Sequence, residues 1–141
     1  MRPLVCCKGT VCKFGLVDTQ AICKELHDKF YPMALPHKFK INVTGCPNNC
    51  AKVQLNDLGF MGAPKGRLRV FIGGRFGREA MIGEEICRIE ADKAMEVTTL
   101  CTDFFKAHGK PKQRFGNLLD DMKDTQEYAD FIASIKALAA V

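Results

Sequence analysis

Residues 38–50 read Lys38-Phe39-Lys40-Ile41-Asn42-Val43-Thr44-Gly45-Cys46-Pro47-Asn48-Asn49-Cys50, and the reading of the whole chain turns on this stretch. From Lys38 to Val43 polar and apolar residues alternate, the period-two pattern of a strand with one buried face. From Thr44 to Cys50 the sequence is turn-rich, with two cysteines separated by three residues, and is expected to begin a short helical turn. Pro47 supports that expectation, because the first helical position tolerates its missing N–H and uses its fixed φ. Strand-like sequence thus gives way to a glycine-containing cysteine loop.

The same arrangement occurs near the N-terminus. Leu4-Val5-Cys6-Cys7 is extended in character and breaks at Gly9, and Cys6 and Cys12 have five residues between them. Eight cysteines, at positions 6, 7, 12, 23, 46, 50, 87 and 101, are many for 141 residues. A chain of this length does not need covalent staples, and clustered cysteines in a reducing compartment point to metal ligation or redox chemistry before disulfides. Iron–sulfur clusters are held by cysteine thiolates, and their anionic sulfurs are helped by backbone N–H groups that glycine loops present without steric cost. Zinc prefers pairs two to four residues apart, so the gap from Cys6 to Cys12 counts against it. Cys23 and Cys101 fall on apolar helix faces and Cys87 in a short strand; all three read as core thiols. Cys7 adjoins Cys6, and adjacent strand residues face opposite ways, so one of the two faces the site. The assignment is Cys6, with Cys7 the alternative.

Working outward, Asp18 or Thr19 caps a helix over 20–31 with Ile22, Cys23, Leu26 and Phe30 at helical spacing, ended by Pro32 and Pro36. Strands are expected over 55–61, 67–72 (stopped by Gly73-Gly74) and 84–90. A helix over 92–108 carries Ala94, Val97, Cys101, Phe104, Phe105 and His108 on one stripe and stops at Gly109. Two more helices are expected over 117–123 and 126–139. The fold class is α+β, a mixed sheet packed with helices and helix-rich toward the C-terminus, in a single domain over 1–141.

Apolar residues make up 47% and charged residues 26% of the chain, ordinary for a soluble globular domain. No apolar run approaches the roughly 20 residues of a membrane span, and Met1-Arg2-Pro3-Leu4 lacks a signal peptide's apolar stretch. The expectation is a cytoplasmic protein with no membrane partner. The net charge of +5 is uneven: residues 1–78 carry 13 Lys/Arg against 4 Asp/Glu, and residues 79–141 carry 8 against 12. A basic cysteine-bearing half suits an anionic cofactor or substrate. Stacking-aromatic and zinc-finger patterns are lacking, so nucleic acid is not an expected partner.

Taken together, Cys6-Cys7-Lys8-Gly9-Thr10-Val11-Cys12 and Thr44-Gly45-Cys46-Pro47-Asn48-Asn49-Cys50 resemble the cluster-binding segments of siroheme-dependent nitrite and sulfite reductases. The flanks Lys13-Phe14-Gly15-Leu16-Val17-Asp18, Asp57-Leu58-Gly59-Phe60-Met61-Gly62, Gly66-Arg67 through Gly73-Gly74, and Arg114-Phe115-Gly116 are similar to that family as well. The resemblance implies a 4Fe–4S cluster on Cys6, Cys12, Cys46 and Cys50, with Cys50 also bridging to the siroheme iron as its axial thiolate. It implies six-electron reduction of a small inorganic anion, sulfite or nitrite, fed by an electron-donor protein or domain. Asn48 would donate a hydrogen bond to the cofactor. Arg67 and Arg75, with Arg69 and Arg78, are candidates for the siroheme carboxylates. Family members carry a ferredoxin-like half ahead of the first cysteine, whereas Met1 here lies five residues before Cys6. The expectation is therefore a domain lacking that half, with substrate-binding residues elsewhere. Two alternatives are a 4Fe–4S electron-transfer module without siroheme and a structural zinc or cysteine-rich domain.

Overall fold

The computed structural model describes residues 4–7, 12–13, 15–31, 35, 38–49, 51–75 and 80–139. The alternating stretch forms strand β2 (Ile41–Thr44). Phe39, Ile41 and Val43 are fully buried, and Asn42 between them is half-buried. On one side β2 pairs in parallel with β1 (Val5–Cys6), and on the other with β3 (Leu58–Ala63). β4 (Arg67–Ile72) and β5 (Glu84–Glu90) continue the sheet antiparallel, so the five strands lie in chain order. The β3–β4 turn uses Lys65 and Gly66 at φ 65° and 71°, the left-handed conformations that a tight reversal requires.

Four helices follow the strand pattern. α1 (Thr19–Phe30) links β1 to β2, with Asp18 Oδ1 accepting from the Ala21 N–H at 3.1 Å as its N-cap. α2 (Ala94–His108), α3 (Phe115–Asp121) and α4 (Gln126–Lys136) come after the sheet, and Thr125 caps α4 through the Tyr128 N–H. All four cover the same sheet face. Leu26 and Phe30 of α1, Val97, Cys101 and Phe105 of α2, Phe115 of α3 and Ile135 of α4 share one core with Val43, Phe60, Leu68, Val70 and Ile72. Phe39, Phe105 and Phe115 meet edge-on or tilted at 5.1–5.8 Å, geometries favoured by their quadrupoles. At the sheet end where β2 begins, buried Asp57 accepts from the Lys40 N–H at 2.8 Å and from Arg114 Nη2 at 3.0 Å, which ties α3 to the sheet.

Alternation leaves the other sheet face to Asn42, Thr44, Gly59, Met61, Arg69 and Phe71. A smaller cluster of Ala51, Val53, Met61 and Phe71 lies there. The fold is α+β with a mixed sheet, as expected from the sequence. The strand expected over 55–61 instead starts at Leu58. Val53–Leu55 forms a 3₁₀ turn, because Asn49 Oδ1 accepts from the Val53 N–H and Asn56 Nδ2 donates to Lys52 O, local bonds that compete with a ladder. α4 ends at Lys136 rather than 139 as Ala139 leaves to bridge Ile89 of β5. Gly109 stops α2 in an extended rather than left-handed conformation; a Cβ there would meet Phe105 O at 2.5 Å. Pro32 and Pro36 lie outside the described residues.

Candidate metal centre

The cysteine loops meet where β1 and β2 end. Cys6 pairs with Val43, and the Cys7 N–H continues the ladder by donating to Val43 O at 3.0 Å. Beyond these strands a cleft of about 220 Å³ is lined by Cys6, Cys7, Cys12 and Cys46, together with Val5, Gly15, Thr44, Gly45, Asn48 and Ala51. All four thiol-bearing residues are half-buried. Cys50 lies outside the described residues; Ala51, which follows it, lines the cleft.

Backbone bonds hold the two loops together. The Gly15 N–H donates to Cys12 O and the Leu16 N–H to Gly45 O, both at 2.9 Å, so the loop after Cys12 is docked on the residue before Cys46. The Gly45 N–H in turn donates to Cys7 Sγ at 3.0 Å. Thr19 Oγ1 donates to Cys7 O at 2.7 Å. Underneath, Gly62 of β3 lies so close to Gly45 that a Cβ on Gly62 would sit 2.1 Å from Gly45 O; only glycine allows that approach.

The helical turn expected to begin at Cys46 is not what forms. Residues 47–48 make a turn, the Asn49 N–H reaches Cys46 O at 3.1 Å, and Asn49 takes a left-handed φ of 56° that ends any helical run. Asn49 is a site residue that the sequence did not single out. Its Oδ1 accepts from the Val53 N–H at 2.9 Å and its Nδ2 donates to Gln54 Oε1 at 3.2 Å, clamping the loop from below. Asn42 does similar work, donating to Ala51 O at 2.7 Å. The adjacent Asn-Asn pair was the available signal, since asparagine tolerates the left-handed region and bonds backbone locally.

Asn48 is exposed on the cleft wall. Arg67 and Arg69 stand at the sheet end that carries the cleft, for Arg69 is level with Met61 and Met61 with Thr44. Arg67 Nε donates to Glu90 at 3.3 Å, and Arg69 grips both Glu85 oxygens at 2.8 and 2.9 Å. That hydrogen-bonded pair raises the Arg69 pKa and lowers that of Glu85. Arg75 is bridged to Met81 past the opposite end of β4, and Arg78 lies outside the described residues. The remaining cysteines behave as core thiols. Burial pushes Cys101 and Cys87 up, and burial together with the neighbouring Cys6 thiol pushes Cys23 up to about 12, which keeps all three protonated at neutral pH.

The donor set is chemically suited to a cluster. Soft thiolates select iron–sulfur groups, zinc and copper(I) over hard cations, and the Gly45 N–H is seated against the Cys7 sulfur. Among the described residues, no three cysteine, histidine or acidic side chains converge on one point, so the fit rests on the thiol-lined cleft and its donors. No helix among the described residues is long and apolar enough to cross a membrane.

Comparisons with known proteins agree with this reading. The family model of the nitrite and sulphite reductase 4Fe-4S domain matches residues 1–124. The chain is 36% identical over 88 residues to the coenzyme F420-dependent sulfite reductase of Methanocaldococcus jannaschii, a match covering 62% of this chain and 14% of that protein. It is 28% identical over 116 residues to the assimilatory-type sulfite reductase of Nitratidesulfovibrio vulgaris, covering 81% of this chain and 53% of that one. Its fold superposes on the crystal structure of dissimilatory sulfite reductase I with a TM-score of 0.82 at 16% identity, covering 99% of this chain and 53% of the other. The chain thus spans about half, or far less, of the length of these relatives. With the family model matched across most of its length, the chain belongs to the nitrite and sulphite reductase 4Fe-4S domain family, a domain of oxidoreductases.

Proposed function

We propose that this chain is the 4Fe–4S and siroheme-binding part of an enzyme that reduces sulfite to sulfide or nitrite to ammonia with six electrons. The observation that carries the reading is a cleft at the ends of β1 and β2 that is lined by cysteines from two separate loops. In this reading Cys12, Cys46 and Cys50 hold the cluster together with one thiolate of the Cys6–Cys7 pair, Cys6 by its five-residue spacing. Cys50 would also hold the siroheme. When bound, the two groups supply electron storage and activation of the anion.

The protein's own part is to fix the thiolates and set their surroundings. The bond from Leu16 N–H to Gly45 O holds the loops in register, and half-burial of the cysteines limits solvent, the levers by which a protein tunes such a centre. Arg67 and Arg69, at the cleft's end of the sheet, would meet macrocycle carboxylates by exchanging Glu90 and Glu85 for them. Arg75, at the far end of β4, would serve only a carboxylate on the opposite rim. Asn48, exposed on the cleft wall, would donate to the cofactor. The donor of electrons would be a separate protein or domain, and the remainder of the anion site would come from outside this domain.

The test is anaerobic purification of the full-length protein, followed by iron, acid-labile sulfide, zinc and siroheme analysis. Stoichiometric iron and sulfide with macrocycle absorption bands are expected. Iron and sulfide without those bands would leave an electron-transfer module; stoichiometric zinc without sulfide would make the domain structural.

A further inference from the structure

We propose that Cys7, not Cys6, supplies the first cluster thiolate of this chain. The inference rests on the cluster-binding reading and concerns which of two neighbouring thiols faces the site. Strand parity is the first argument. Cys6 is paired with Val43, whose side chain is fully buried among the helices. Side chains directly opposite in a sheet lie on the same face, so Cys6 belongs to the helix-covered face. It packs there against the main core, to which Cys23 of α1 lies next. Cys7 follows and therefore points the other way, packing against Ala51, Val53, Met61 and Phe71 on the open face.

The second argument is the company Cys7 Sγ keeps. It accepts from the N–H of Gly45, the residue directly before Cys46, across 38 positions of sequence. Backbone N–H donors of this kind stabilise the anionic sulfur of a ligand thiolate. The same contact brings the first thiol against the second cysteine loop, as a shared cluster demands. The third is anchoring: the Cys7 N–H is held by Val43 O and its carbonyl by Thr19 Oγ1. Its side-chain direction is thereby fixed, whereas Cys6, although it borders the cleft, packs against the main core. The ligand spacing becomes Cys-x4-Cys for the first pair.

The full-length protein and its Cys6→Val, Cys6→Ala and Cys7→Ser variants, produced anaerobically, decide the matter. Iron and sulfide per chain and the paramagnetic resonance spectrum of the reduced protein are measured on each, with a thermal melt to confirm folding. Cys6→Val keeps apolar volume on the core face and is expected to retain wild-type iron, sulfide and spectrum. Cys6→Ala repeats the test without added bulk. Cys7→Ser is expected to lose iron by about tenfold or more, or to keep a cluster with an altered spectrum as the serine oxygen takes the position. Loss of the cluster from folded Cys6 variants, or an unaltered spectrum in Cys7→Ser, overturns the assignment and leaves the cluster reading intact. Wild-type protein without iron and sulfide overturns both.

Discussion

Gly62 is the position where one methyl group would do most to separate the cysteine loops. A Cβ on Gly62 would stand 2.1 Å from Gly45 O and 2.6 Å from its carbonyl carbon, against an ordinary contact that starts at 3.4 Å. The obstacle is backbone, so relief requires Gly45 or β3 to retreat by about 1.3 Å, the difference between those two distances. β3 is held by β2 on one side and by the β4 ladder on the other; the loop yields instead. Gly45 makes two bonds across the site, to Cys7 Sγ at 3.0 Å and from Leu16 N at 2.9 Å. A retreat of that size stretches either bond toward about 4 Å, outside hydrogen-bonding range. Two lost bonds at about 1 kcal/mol each and overpacking of about 1–3 kcal/mol give Gly62→Ala a cost of about 3–5 kcal/mol. The thiolates also leave the roughly 0.5 Å tolerance that a preorganised site needs. Guanidinium denaturation of the cluster-free protein measures the first effect, and iron and sulfide content after anaerobic reconstitution the second. Gly66→Ala is the control: a Cβ there meets nothing within 4 Å and only the φ of 71° resists it, a cost of about 1 kcal/mol with no loss of cluster. Gly62→Ala with wild-type iron content and the stability of Gly66→Ala would refute the reasoning.

Three further outcomes are expected. Arg114→Met strands the buried Asp57 carboxylate and lowers stability by about 3–5 kcal/mol, read from denaturant midpoints; a loss below about 1 kcal/mol would show that the pair is not held as described. Burial raises the Asp57 carboxyl above its ordinary 3.8 against the pull of Arg114 and the Lys40 N–H. The folded chain then holds that proton more tightly than the unfolded chain, so the group's contribution to stability is full below the unfolded value and lost as pH rises through the folded one. Wild type should therefore gain stability relative to Asp57→Asn as pH falls toward about 4, and a difference constant from about pH 7 to pH 4 would count against the shift. Asn49→Ala removes two side-chain bonds and places alanine at φ 56°, costing the loop about 2–3 kcal/mol. Asn49→Gly relieves the backbone part, so it should release iron to a chelator more slowly than Asn49→Ala; equal rates would deny the left-handed strain.

What the chain showed in advance was whatever depends on near neighbours. β4 and β5 were legible to the residue because alternation and the Gly73-Gly74 stop are local, and α1 announced itself through Asp18 and its apolar spacing. The two cysteine loops were legible for the same reason. Long-range register was not. Whether Cys6 or Cys7 turns toward the cleft depends on which residue of β2 lies opposite, and nothing within residues 4–7 carries that information. Asp57 and Arg114 likewise look like surface charges until the fold brings them together across 57 positions. Gly62 reads as an ordinary glycine in a strand until Gly45 is laid against it.

Strands laid down in chain order also set an order in time. Ala63 and Arg67, which close the β3–β4 hairpin, are four residues apart, whereas Cys6 and Val43 are separated by 37. Closing the longer loop costs about 2 kcal/mol more in chain entropy, and a two-residue strand offers little to offset it. The hairpin should nucleate the sheet within microseconds, with β2 docking onto it and β1 arriving last. The half of the cleft bearing Cys46 is then built well before the half bearing Cys7 and Cys12. Native-state hydrogen exchange would register this as a Cys7 amide that opens more readily than those of Phe60 and Val70. A chain that assembles this way keeps the sulfurs of its two cysteine loops apart from each other until the sheet is complete.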